Sequence, residues 1–204
     1  MITLVDYGLG NIQAFANIYR TLGIPFTVAQ DSHQLSRATR LVLPGVGAFD
    51  WAMQRLEISG LRTVLDNLVL NYQVPVLGVC VGMQMMANRS EEGRLSGLGW
   101  IPGEVKRFDE SHLPSKTCLP HMGWNNVSSV SNPLFLGFSD PRFYFLHSYF
   151  FAPDSADHVL AEANYGIRFP AAVANGHVFG VQFHPEKSHH WGIKLLQNFA
   201  ETQF

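Results

Sequence analysis

Apolar residues come along this chain in two rhythms. At first, short apolar runs alternate with stretches in which apolar side chains recur at helical spacing. Residues 2–7, 26–29, 40–43 and 74–79 read as strands, and 12–22, 49–58 and 61–70 read as helices. Ile12, Phe15, Ala16, Tyr19 and Leu22 share one helical face, and Gly23 supplies the stop. That alternation predicts an α/β fold, a central mostly parallel sheet with helices on both faces. From Trp100 onward the pattern turns strand-rich, with runs at 143–150, 159–163, 171–174 and 178–183. A helix over 190–199 closes the chain, with Ile193, Leu195, Leu196 and Phe199 turned inward. No linker, repeat or low-complexity tract interrupts this, so residues 1–204 are read as one domain.

The fourth apolar run ends in Gly78-Val79-Cys80-Val81-Gly82, where the pattern passes from strand to helix. Cys80 falls on the turn, and the flanking glycines allow it to be sharp, because a Cβ at either flank would clash. The start of a following helix, at Gly82 to Ala87, would favour a thiolate there. A free thiol, with pKa about 8.5, is only a few per cent ionised at neutral pH, so this placement and a nearby base would both help.

A base stands in Gln-Phe-His-Pro-Glu-Lys-Ser, residues 182 to 188. Pro185 biases His184 to an extended backbone, which puts His184 and Glu186 on the same side about 6–7 Å apart. Glu186 can then accept from the imidazole and orient it, the part a third triad member plays. Taken alone, Cys80 reads as a small core residue and His184 as structural. The two motifs together point to a Cys/His/Glu hydrolase.

Pro44-Gly45-Val46-Gly47 follows the third apolar run. Val46 and Gly47 could turn backbone N–H groups toward a bound oxygen, and with the N–H of Val81 they would form an oxyanion hole. Each such donor is typically worth about 3 kcal/mol in a transition state.

Composition narrows the setting. Hydrophobic residues make up 47%, normal for a globular protein, and a net charge of −2 argues against nucleic-acid or membrane attraction. Two cysteines, Cys80 and Cys118, offer no disulfide framework. Asp6 interrupts the first apolar run, so no signal peptide is visible, and a cytoplasmic setting that keeps Cys80 reduced is expected.

These segments carry a family resemblance. Val5-Asp6-Tyr7-Gly8-Leu9-Gly10-Asn11, the Pro44 loop, the Cys80 turn, Pro120-His121-Met122-Gly123-Trp124-Asn125, Phe145-Leu146-His147-Ser148-Tyr149 and residues 182 to 188 span nearly the whole chain. Together they resemble the class I (triad) glutamine amidotransferases, which have a flavodoxin-like three-layer fold. Within that class the chain is similar to the glutaminase subunit of imidazole glycerol phosphate synthase.

The resemblance implies that Cys80 is the nucleophile, His184 the base and then the acid, and Glu186 the orienting carboxylate. Gln84 and Glu92 match positions that hold glutamine, and the backbone at Ser148 and Tyr149 matches the site of its α-carboxylate. Val46, Gly47 and Val81 match the oxyanion loop and elbow, which in the family is often set only when the partner binds its ligand. Asn11, Trp124 and Lys187 match positions facing a synthase subunit. No cofactor or metal is implied.

The chain has no room for a second (β/α)8 domain of about 250 residues. A separate synthase subunit receiving ammonia through a protected channel is therefore expected, and the resemblance implies that it is a cyclase barrel forming a heterodimer with this chain. It would make imidazole glycerol phosphate and an aminoimidazole carboxamide ribotide. Three segments depart from the pattern: Thr117-Cys118-Leu119, where a basic residue commonly stands, His189-His190-Trp191, and Ile12-Gln13-Ala14-Phe15 after Asn11. Two alternatives stay open: a paralogous glutaminase feeding a nucleotide-sugar amidating enzyme, and a stand-alone cysteine hydrolase.

Overall fold

The computed structural model describes residues 1–112 and 118–203, so Thr117 lies outside the described residues. Every residue of strands Leu41–Gly45 and Val76–Cys80 is buried. Successive strand residues point to opposite faces, so such runs require both faces of the sheet to be covered. Among the described residues the main sheet has eight strands, in the order Phe26–Ala29, Ile2–Val5, Leu41–Gly45, Val76–Cys80, Val178–Val181, Ile167–Asn175, Val159–Tyr165, Ser128–Ser129. The first five run parallel, and the remaining three add antiparallel.

Helix Ile12–Thr21 packs beside the closing helix His189–Glu201, while the turn Ser32–Leu35 packs beside Arg62–Asp66. The helix expected over 61–70 is regular only through Arg62–Asp66, after which Asn67–Asn71 widens into a π turn.

Among its described residues, the strand-rich second half also builds two small sheets. One holds Arg89–Ser90, Gly103–Arg107 and Tyr149–Pro153, and the other pairs His121–Asn126 with Arg142–His147. The run read as one strand over 143–150 is therefore two strands in different sheets. The break falls at Ser148, whose carbonyl accepts from Phe108 N (3.2 Å) as the chain crosses between them. Among the described residues, no helix is long and apolar enough to cross a membrane.

Candidate active site

The site lies at the carboxyl ends of three adjacent parallel strands, where loops can converge without obstructing the sheet. Val76–Cys80 ends on Cys80 itself, at φ 56° and ψ −114°. A non-glycine residue there carries a strain of about 1–3 kcal/mol, sustained only because the surroundings enforce it. The glycines on either side serve close approach: a Cβ on Gly78 would lie 2.6 Å from the Gly82 carbonyl oxygen, and one on Gly82 would drive into the Leu43 carbonyl.

The helix that follows is a single turn, Val81–Gln84. Its dipole is correspondingly small, so the helix end expected at this turn contributes little.

His184 arrives from the neighbouring strand, Val178–Val181. Its backbone N donates to Tyr144 O (2.8 Å), and Ser188 Oγ donates to His184 O (2.6 Å) while accepting from Tyr144 N (3.0 Å). The turn Pro185–Lys187 is thereby tied down at both ends. His184 Nδ1 lies 2.8 Å from Glu186 Oε1, and both side chains are 4% exposed. A carboxylate only accepts, so Nδ1 carries the proton and Nε2 faces the sulfur. Burial alone would lower the His184 pKa, but hydrogen bonds with Cys80 and Glu186 outweigh it and raise the imidazole to about 10. The imidazole thus stands between Glu186 and a cysteine that is only 5% exposed.

The loop after Leu41–Gly45 sits beside this elbow. Gly45 is the register partner of Cys80, which brings Val46 and Gly47 alongside Val81. Gly47 has φ 86°, a conformation suited to glycine. Tyr7 holds the loop from behind, its hydroxyl donating to Pro44 O (2.8 Å). Burial, and then the neighbouring Cys80, push its pKa up, so it stays a neutral donor. Glu92 braces the other side by accepting from Phe49 N (2.8 Å). In return Asp50 accepts from Arg94 N and Leu95 N, at 2.9–3.0 Å.

Gln84 is buried. Its Nε2 donates to Tyr149 O (3.2 Å) and to Gln182 Oε1 (3.0 Å), while Gln182 Nε2 reaches toward Cys80 Sγ (3.9 Å). The structure thus joins Gln84 and the Tyr149 carbonyl to Cys80 through Gln182, a residue given no role from sequence. Its signal was a glutamine inside the apolar run 178–183, two residues before His184.

The remaining candidates lie around the Pro185–Lys187 turn. Asn11 caps helix Ile12–Thr21, which packs on this turn, and accepts from Ala14 N (3.2 Å). Lys187 Nζ stands 5.8 Å from the Tyr144 ring. Tyr144 pairs across the ribbon with Trp124, which is 40% exposed and stacks on His189 with ring planes 2° apart. His189, one of the departures from the family pattern, therefore sits on the same surface as Trp124.

The glutamine amidotransferase class-I family model matches residues 3–202. The chain belongs to the class I glutamine amidotransferases. Its curated relatives include "Imidazole glycerol phosphate synthase subunit HisH" of Bdellovibrio bacteriovorus, 58% identical over 98% of this chain and all of that one. The HisH subunit of Leptospira interrogans is 48% identical over 98% of this chain and 99% of that one, and HisH 2 of Pseudomonas aeruginosa is 46% identical with the same coverage. A solved glutamine amidotransferase superposes with TM-score 0.74 at 17% identity, covering 98% of this chain and 99% of that one, which supports the fold.

Proposed function

We propose that this chain hydrolyses glutamine at Cys80 and passes the ammonia to a (β/α)8 cyclase subunit, as the glutaminase half of a heterodimeric imidazole glycerol phosphate synthase. The observation that carries the chemistry is one imidazole, His184, held between Cys80 and Glu186. The relatives' subunit names favour the histidine-pathway branch over a surface-sugar paralog.

In the first half-reaction, the Cys80 thiolate attacks the side-chain amide carbon of glutamine. The carbonyl oxygen takes up negative charge and meets the N–H groups of Val81 and the Val46–Gly47 loop. His184 gives its proton to the leaving nitrogen, so ammonia departs and a glutamyl thioester remains. In the second, His184 takes a proton from water, hydroxide adds to the thioester, and glutamate leaves as the sulfur regains its electron pair. Glu186 fixes the ring through both halves. Gln84 and Glu92 hold the amino-acid end of the substrate, and the backbone at Ser148 and Tyr149 receives its α-carboxylate.

Released into water, ammonia would become ammonium and lose its nucleophilic lone pair, so transfer must be sheltered. Asn11, Trp124 and Lys187 present the face to the cyclase, close enough to the His184–Glu186 turn for docking to act on the site. Cys80→Ala in the complex tests this reading. Glutamine-fed synthesis should vanish while ammonia-fed synthesis persists; equal rates from both nitrogen sources would refute it.

A further inference from the structure

Two buried histidines outside the triad form an oriented chain. His147 Nδ1 lies 2.7 Å from Tyr149 O, and His147 Nε2 lies 2.9 Å from His121 Nδ1. His121 Nε2 lies 3.3 Å from Asn125 Nδ2, which also donates to Asn164 O (2.8 Å). Carbonyls only accept, and that fixes every proton. His147 must carry its proton on Nδ1, leaving Nε2 to accept. His121 must then donate from Nδ1, leaving its Nε2 for the Asn125 amide. A proton added to either ring would break a link, so both rings are held neutral.

Packing agrees with this. His121 is sandwiched between the rings of Phe145 and Tyr165, at centroid distances of 4.8 and 4.0 Å. Phe108 and Phe169 enclose His147 at 5.4 and 5.1 Å. Burial lowers the pKa of His121 to about 4 and that of His147 to about 3.

The far end of this chain is the Tyr149 carbonyl. It accepts from His147 and also from Gln84, which is linked through Gln182 to Cys80. With both lone pairs occupied, the orientation of the Tyr149–Phe150 peptide group is set, and it anchors the adjoining Ser148–Tyr149 peptide. We infer that His147, supported by His121, is a positioning residue that fixes the Ser148–Tyr149 backbone and Gln84 for glutamine, and so governs glutamine affinity more than the rate of amide cleavage. The inference rests on the glutaminase reading, with Ser148 and Tyr149 at the α-carboxylate.

Two isosteric variants separate positioning from packing. In His147→Asn the amide nitrogen replaces Nδ1 and keeps the bond to Tyr149 O. In His147→Gln the amide occupies the Nε2 position and loses it. With the variant chains in complex with the cyclase subunit, His147→Gln should raise the glutamine KM about tenfold with kcat within about twofold. His147→Asn should restore KM to near the parent value.

Equal KM values for both variants, with the parent complex turning over glutamine, overturn the inference and leave the glutaminase reading intact. A parent complex that leaves glutamine untouched overturns both. Should either variant fail to fold, nitrogen-15 spectra of the unaltered protein serve instead: Nδ1-protonated tautomers for both rings are expected, and an Nε2-protonated His147 overturns the inference.

Discussion

Gly45 and Cys80 are partners on the last rung of two adjacent parallel strands, so the Val46–Gly47 loop and the Cys80 turn leave the sheet side by side. The approach depends on missing side chains: a Cβ on Gly45 would lie 2.8 Å from the carbonyl carbon of Val81. Gly45→Ala should therefore push the elbow out of place. A loss of about 2 kcal/mol or more in urea unfolding, with glutamine turnover reduced at least tenfold, is expected. Parent-like stability and turnover would show that the two loops do not need this contact.

The strain at Cys80 gives a second test. Cys80→Ala and Cys80→Gly both remove the sulfur, and only the glycine variant relieves φ 56°. Cys80→Gly should be the more stable of the two by about 1 kcal/mol, against the usual order for these residues. Urea midpoints compare them directly.

Glu186 holds the imidazole through one short hydrogen bond. Glu186→Gln keeps the shape and loses the carboxylate that orients the ring. By analogy with other triads, kcat for glutamine should fall by about 10²–10⁴-fold with little change in KM. Ammonia-fed synthesis in the complex, measured in parallel, should be unaffected.

Protonation of His184 links the same geometry to stability. Its folded pKa is raised to about 10, above the usual value near 6.5. The stabilisation this gives is fully present below about pH 6.5 and is lost as pH rises through about 10. Unfolding midpoints measured between those limits should fall with pH, and Cys80→Ala, which removes one partner, should flatten the slope.

The buried histidine pair acts in the opposite direction. The folded pKa values of His121 and His147 are depressed to about 4 and about 3. As pH drops below about 6.5 the unfolded chain takes up protons that the folded chain refuses, so stability falls and levels off only below about 3. His147→Asn should weaken that acid dependence, as followed by unfolding midpoints.

The parallel half of the fold was legible in the sequence because strands covered on both faces read as unbroken apolar runs. Residues 26–29 are the same in the reading and in the structure, and 74–79 differs from Val76–Cys80 only at the ends. Strands Gly103–Arg107 and His121–Asn126 were not read, since their sequences are polar or broken by glycine and only one face is buried.

Within the site, Cys80, His184 and Glu186 were legible because glycine flanks and a His-Pro-Glu spacing constrain geometry locally. Gln182, Tyr7 and Ser188 act through partners 102, 37 and 44 residues away, and no local pattern reveals that. Of the two supports read for a thiolate, a helix end and a nearby base, the helix is a single turn, Val81–Gln84, and the base is the buried His184.

The most direct measurement is acid quenching of the complex during glutamine turnover, followed by mass spectrometry of the peptide that carries Cys80. A glutamyl adduct on that cysteine, absent in Cys80→Ala and strongly diminished in His184→Asn, is the expected result. Sustained glutamate release with no adduct on Cys80, continuing in the Cys80→Ala chain, would contradict covalent catalysis at this elbow.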